Sequence, residues 1–153
     1  MSEKLFVSRF RKQAKGVALV QRIESEATGS GIPDTLIDYR GIRAYVEFKF
    51  VKEWPKRGTT TIKLPHFSGL QRQFLVRHGR EAGHCYLFLL IGDTYLLFPW
   101  NDLPSQEGEL KEDFISHALL CEKKLSIKQF LDVLEMEQMG VNMLGVAEHY
   151  EGK

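Results

Sequence analysis

The sequence has few of the residues that build disulfide frameworks or structural zinc sites. Its 153 residues include only two cysteines, Cys85 and Cys121, which do not form a Cys-x-x-Cys pair. Both lie among apolar residues, so we expect two buried free thiols. Neither a glycine-rich phosphate loop nor a His-Glu-x-x-His motif occurs, which argues against a P-loop nucleotide hydrolase and a zinc protease of that type.

Long apolar segments are also missing. Runs such as Cys85 to Ile91 have the length of a strand, and residues 1–4 lack the apolar core of a signal peptide. We therefore expect a cytoplasmic protein without a membrane span. Apolar residues at 43% and charged residues at 27% are ordinary for a globular protein of about one domain.

The net charge of +1 conceals an uneven distribution. Residues 1–80 contain sixteen Lys and Arg against seven Asp and Glu, whereas residues 81–153 contain five against thirteen. If the two halves stay apart in space, the basic half is suited to a polyanion. If folding interleaves them, the asymmetry disappears.

Hydrophobic periodicity, caps and turn residues predict an open mixed sheet of four to five strands with helices against it. Residues 141–153 either form a further short helix or fray. The predicted elements are a helix at 2–15, a strand at 17–24, a hairpin at 34–40 and 43–51, a helix at 68–83, strands at 85–91 and 94–98, and helices at 109–121 and 126–139.

The hairpin about Gly41 gathers charged side chains. Side chains on a strand alternate between faces, so Glu47 and Lys49 share one face while Phe48 lies on the other. Pairing of the two strands brings Asp34 near the level of Lys49 or beyond it, within reach of Glu47. Two carboxylates and one ammonium at one sheet edge predict a metal site.

These residues resemble a known family of nucleases. Gly31-Ile32-Pro33-Asp34, a gap of twelve residues, Glu47-Phe48-Lys49 and a later Ser68-x-x-Gln71 at a helix start are similar to the motifs of the PD-(D/E)XK nuclease superfamily. Within it, the sequence resembles the VRR-NUC-like and Holliday-junction-resolvase-like proteins of phages and prophages. The resemblance covers about residues 3–98 and implies a restriction-endonuclease-like core over 1–100, with 101–153 as a helical C-terminal extension of the same domain.

The resemblance implies a metal centre for phosphodiester hydrolysis. It assigns Asp34, Glu47 and the Phe48 carbonyl as ligands of Mg²⁺, with Mn²⁺ as a substitute, in keeping with the preference of Mg²⁺ for hard oxygen ligands. Glu3 is similar to an acid that completes the metal shell in some relatives. Glu24 or Glu26 is an alternative to Glu3, and a solvated strand end would also explain those two residues.

Two further site residues have competing interpretations. Lys49 either orients the attacking water and stabilises charge on the phosphate, or forms only an ion pair with Glu47 or Asp34. Gln71 either reaches into the site, as in the resembling nucleases, or only completes a capping box with Ser68.

A basic loop follows the hairpin and suggests a DNA contact. Trp54 in this loop either stacks on a base or folds back onto the protein. The predicted DNA-binding residues are Lys52, Trp54, Lys56, Arg57 and Lys63 of the loop, and Arg72 of the next helix.

The function implied is a Mg²⁺-dependent DNA endonuclease selective for branched DNA, acting as a homodimer in a bacterial or phage-infected cell. The alternative is a non-catalytic nucleic-acid-binding or protein-interaction module with the same fold.

Overall fold

A six-stranded sheet forms the centre of the computed structural model, which describes residues 1–23, 31–64 and 66–151. The strands follow chain order across the sheet, and only β3 and β4 are parallel. The elements are α1 Glu3–Ala14, β1 Leu19–Arg22, β2 Thr35–Tyr39, β3 Ile42–Val51, α2 Gly69–Ala82, β4 Cys85–Ile91, β5 Thr94–Pro99, α3 Lys111–Ser116, β6 Leu120–Glu122 and α4 Ile127–Glu151.

Local sequence explains how the first half of the chain folds. Ser2 caps α1 by accepting a hydrogen bond from the Leu5 amide. A two-residue turn at Arg40 and Gly41, both with positive φ, joins β2 to β3, as the twist of a tight hairpin requires. Helix α2 then carries the chain from β3 to the parallel strand β4.

Both faces of the sheet are covered. On one face α1 and α4 bury an aromatic cluster that includes Phe6, Phe10, Phe48, Phe88 and Phe130. On the other face, α2 and α3 pack over the alternate side chains of β4 and β5. Every residue of β4 is therefore buried, which accounts for its continuous apolar run.

The helix predicted at 109–121 is present but shorter than predicted. Helix α3 ends at Ser116, and residues 120–122 instead pair with β5 as the sixth strand. The sheet thus has six strands rather than four or five. Cys121 lies on this edge strand and is exposed, so only Cys85 is the buried thiol that we expected.

The C-terminal helix is part of the main body. The buried side chains of α4, among them Phe130 and Leu134, belong to the same cluster as those of α1. The helix continues without a break from Ile127 to Glu151, beyond the predicted end at 139. Within the described ranges, no helix combines the length and apolar character needed to cross a membrane.

Candidate active site

The register of the hairpin places Asp34 opposite Glu47. Thr35 pairs with Val46, and the next position along brings the Asp34 amide to 3.2 Å from Glu47 Oε2, to which it donates a hydrogen bond. Asp34 is therefore level with Glu47. From the sequence we had expected it near the level of Lys49 or beyond it. The antiparallel register alone brings together two carboxylates that are thirteen positions apart in sequence.

Lys49 joins this pair from the same face of β3. Its Nζ lies 3.3 Å from Glu47 Oε1, and only 4% of Glu47 and 8% of Lys49 is exposed. Phe48, between them, points into the aromatic cluster on the opposite face. A buried lysine beside buried carboxylates is costly to desolvate, so the cluster is not an ordinary surface ion pair.

Gln71 has both of the roles that the sequence allowed. Its Oε1 accepts a hydrogen bond from the backbone amide of Ser68 at 2.9 Å. The backbone amide of Gln71 in turn donates to Ser68 Oγ, which completes a capping box. Its Nε2 donates to Glu47 Oε1 at 3.0 Å. The hydrogen bond to Oε1 thus orients the side-chain amide of Gln71 so that Nε2 faces the Glu47 carboxylate.

The pKa values of both carboxyl groups, Asp34 and Glu47, are raised above their ordinary values. Burial raises the pKa of Glu47 to about 7, and the neighbouring Asp34 carboxylate also raises it. Burial likewise raises the pKa of Asp34 to about 6, against the lowering effect of a hydrogen bond from Thr35. The buried Glu47 and the half-buried Asp34 face a single ammonium, so the cluster lacks positive charge, which a divalent cation would supply.

The other predicted metal ligands are Phe48 and Glu3, with Glu24 or Glu26 as alternatives to Glu3. The Phe48 backbone forms a hydrogen bond with Asp34 that lowers the pKa of that carboxyl, so the Phe48 main chain adjoins the carboxylates. Glu3, in the first turn of α1, places Oε1 4.0 Å from Lys49 Nζ. Nowhere in residues 1–23, 31–64 and 66–151 do three or more His, Cys, Asp or Glu side chains form a metal-ligating group. Glu24 and Glu26 lie outside the described residues.

The donor set nevertheless fits Mg²⁺. Two carboxylates and a backbone carbonyl are a sufficient protein share for an ion that keeps several waters. Of the groups nominated by the sequence, the Asp34 and Glu47 carboxyls adjoin each other, and the backbone amide of Phe48 adjoins Asp34.

The predicted DNA-binding residues divide into two groups. Lys52, Lys56, Arg57 and Lys63 are exposed. Trp54 folds back onto the protein, with its ring edge-on to Phe114 and Lys111 Nζ 4.4 Å from its centroid. Arg72 donates to the Pro104 carbonyl at 2.6 Å and lies over the Phe67 ring, so its guanidinium holds a loop in place.

Comparison with known proteins identifies the architecture. No protein-family model and no curated protein matches the sequence. Among solved structures, the Holliday junction resolvase of the archaeal hyperthermophile Archaeoglobus fulgidus matches 76% of this chain and 89% of its own, with a TM-score of 0.53 and 19% identity. The fold is similar to that of a Holliday junction resolvase. The restriction-endonuclease-like core expected from the sequence is thereby confirmed as a fold.

The resolvase-like fold also assembles a surface that we did not assign from the sequence. A groove between α1 and the edge strand β1 leads to Glu3 and Asp34, and basic side chains of α1 line it. The sequence does show a basic face on this helix, through Arg11, Lys12 and Lys15. It does not show that the face borders a groove that ends at the carboxylates.

The capping box and the site contact of Gln71 can be separated by two variants. Gln71→Ala removes both, whereas Ser68→Ala removes the bond to the Gln71 amide and leaves the Gln71 side chain present. We expect each variant to lower the free energy of unfolding by about 1 kcal/mol. Only Gln71→Ala should also slow DNA cleavage, by roughly 10- to 100-fold, because Glu47 loses an orienting partner.

Urea unfolding and single-turnover cleavage, measured on the same preparations, test this expectation. Equal loss of cleavage in both variants would show that the helix start matters and the Gln71 amide does not.

Proposed function

We propose that this protein is a Mg²⁺-dependent DNA endonuclease that hydrolyses phosphodiester bonds in branched DNA. The observation that carries the proposal is the convergence of Asp34, Glu47 and Lys49 beside the central strand β3 of a resolvase-like fold. The two acids and the lysine are the residue types that metal-dependent phosphate hydrolysis needs. The matched structure from Archaeoglobus fulgidus is a Holliday junction resolvase, which supports branched DNA as the substrate class.

The residues have distinct roles in this proposal. Asp34, Glu47 and the Phe48 carbonyl bind the metal, and Glu3 is a further candidate ligand. When bound, Mg²⁺ or Mn²⁺ supplies Lewis-acid stabilisation of the phosphate and activates water as the nucleophile. Lys49 stabilises the charge that develops on the phosphoryl oxygens.

Gln71 acts through Glu47. Its Nε2 donates to Glu47 Oε1, the oxygen that Lys49 also contacts, and so holds the carboxylate in one orientation. We propose Gln71 as a positioning residue rather than as a group that touches the substrate.

We further propose that two copies act together, since a symmetric four-way junction requires two cuts related by a two-fold axis. The motif at Gly31 to Lys49 supports kinship with the VRR-NUC-like and phage resolvase-like proteins, and hence action in the cytoplasm of a bacterial or phage-infected cell. Exposed Lys52, Lys56, Arg57 and Lys63 remain candidate phosphate contacts.

A panel of labelled DNA substrates tests the proposal. A four-way junction, a flap and a plain duplex of the same sequence are incubated with wild type, Asp34→Ala and Lys49→Ala, in Mg²⁺, Mn²⁺ or EDTA. We expect wild type to cut the junction in either metal, and both variants to bind it without cutting.

Each alternative outcome has a defined meaning. Equal cutting of all three substrates would retain the nuclease and reject its selectivity for branched DNA. Binding without cutting by wild type would reject the nuclease and leave a non-catalytic nucleic-acid-binding module.

A further inference from the structure

The groove between α1 and β1 lies beside the candidate site and has a volume of about 700 Å³. Helix α1 forms one wall, and the edge of the sheet at β1 and β2 forms the other. One end lies at Lys15 and Gly16, after the helix, and the other end reaches Glu3 and Asp34. A ligand lying along the groove would therefore run directly into the carboxylates.

The groove is lined by cations that have no hydrogen-bond or ion-pair partner among the described residues. In residues 1–23, 31–64 and 66–151, no hydrogen bond or ion pair engages the lining side chains Lys4, Arg11, Lys12, Lys15 and Arg22. Some basic residues elsewhere are paired, such as Arg43 with Asp38 and Lys123 with Asp93. Several unpaired like charges along one groove repel each other, and a polyanion would relieve that repulsion.

The spacing of these cations fits a nucleic-acid strand. Lys4, Arg11, Lys12 and Lys15 lie along one side of α1, and a helical rise of about 1.5 Å per residue spreads them over roughly 16 Å. One strand of duplex DNA places a phosphate about every 3.4 Å along the helix axis, and these phosphates are farther apart along the backbone itself, so a row of this length can contact several successive phosphates.

The composition of the groove favours backbone contact over base stacking. None of the described side chains that line it is aromatic, and the sequence of residues 24–30 contains no aromatic residue either. Single-strand binding surfaces combine positive charge with aromatic rings on which bases stack. A positive groove without rings instead suits the sugar-phosphate backbone of a duplex, which carries no sequence information.

We propose that this groove binds the sugar-phosphate backbone of one strand in a duplex arm and guides it to Asp34 and Glu47. The proposal rests on the proposed nuclease function for its substrate class and assigns DNA binding to α1 and Arg22, which the sequence did not indicate. It predicts binding that depends on salt and is indifferent to sequence.

Two neighbouring arginines on α1 provide the matched pair that tests it. Arg11 lines the groove, whereas Arg9 is exposed on the same helix and does not line it. Both are replaced by alanine, a strong helix former, so helix stability changes little. Binding of wild type and each variant to a short duplex is measured by fluorescence anisotropy in EDTA over a range of salt, beside a Lys52→Ala/Lys56→Ala variant of the basic loop.

We expect Arg11→Ala to weaken duplex binding about three- to tenfold and to reduce the slope of log K against log salt by about 0.9. Arg9→Ala should leave both unchanged. Equal effects of Arg9→Ala and Arg11→Ala, or a reduced slope only in the loop variant, would overturn the groove as the binding surface. Oligo-dT tests the strand assignment, because a loss on oligo-dT as large as on duplex would reject a duplex backbone ligand.

The cleavage panel with Mg²⁺ is run on the same variants, which separates this inference from the nuclease proposal. A groove that binds duplex in a protein that cuts nothing rejects only the nuclease. Unaltered duplex binding and cutting by Arg11→Ala rejects only the groove.

Discussion

Replacing Glu47 by glutamine is expected to lower the rate of DNA cleavage in Mg²⁺ by on the order of 10³-fold or more. The substitution removes a carboxylate that faces Asp34 and contacts Lys49, so the metal loses a charged ligand and Lys49 loses its partner. The measurement is single-turnover cleavage of a four-way junction. Glu81→Gln, which neutralises an exposed carboxylate on α2, should cleave at the wild-type rate.

The same variant should change how stability depends on pH. In the folded protein the pKa of Glu47 is about 7, above its ordinary value of 4.5, so the native state holds the proton more tightly than the unfolded chain. The free energy of unfolding of the metal-free protein should therefore fall as the pH rises from about 4.5 to about 7. For wild type relative to Glu47→Gln, we expect this fall to be on the order of 2 kcal/mol.

Urea unfolding in EDTA at about pH 5 and about pH 8 measures that difference, and subtraction of the variant cancels the titration of groups that do not interact with Glu47. Mg²⁺ added at the higher pH should raise the melting temperature of wild type and not that of Glu47→Gln, because a ligand stabilises only the state that binds it. The same pH dependence in both proteins would contradict the buried carboxylate pair. Equal stabilisation of both proteins by Mg²⁺ would contradict Glu47 as a ligand.

Gly31→Ala is expected to damage both stability and activity. Gly31 has φ +73°, and a Cβ at this position would overlap the Leu70 carbonyl oxygen and lie 2.9 Å from the Gln71 amide nitrogen. The first turn of α2 would have to move, and the side-chain amide of Gln71, which donates a hydrogen bond to Glu47, would move with it. Conformational strain and overpacking together should cost roughly 2–4 kcal/mol of unfolding free energy.

Gly41→Ala is the matched control. Gly41 has φ +79°, but nothing lies within 4 Å of a Cβ added there. It should therefore show only the strain of the left-handed backbone, about 1 kcal/mol, and keep its cleavage rate. Unfolding curves and cleavage rates at a temperature where both variants are folded provide the test. If Gly31→Ala behaves like Gly41→Ala in both measurements, the close approach to α2 does not support the site.

Gly31 also shows how a correct sequence feature can have a different cause. A run of small residues such as 27–31, before Asp34, is typical of a backbone that approaches a ligand closely. In the structure, the backbone at Gly31 approaches the start of α2 instead. The sequence marks a position without a side chain, but only packing determines what occupies the space.

Elements stabilised by nearby residues were predictable. The cap at Ser2, the turn at Arg40 and Gly41 and the capping box at Ser68 and Gln71 all involve groups within a few residues of one another. Their geometry follows from local chemistry, so α1, the hairpin and α2 lie where the sequence predicts them.

Elements that depend on distant partners were not predictable. Residues 120–122 are a strand because β5 offers an open edge, and an apolar pattern at 109–121 contains no information about that edge. Trp54 and Arg72 looked available for DNA because they lie in basic surroundings. Their partners, Phe114 and Pro104, are far along the chain.

The candidate site combines both kinds of information. The sequence alone determined that Glu47 and Lys49 share a face of one strand, and that a hairpin brings Asp34 to them, because side-chain alternation and a tight turn are local properties. Only the tertiary structure decided that Gln71 reaches Glu47 while it caps its helix, and that the cations of α1 border a groove ending at Asp34. Those relations depend on how helices pack against the sheet, which is set by the two buried faces together rather than by any one segment.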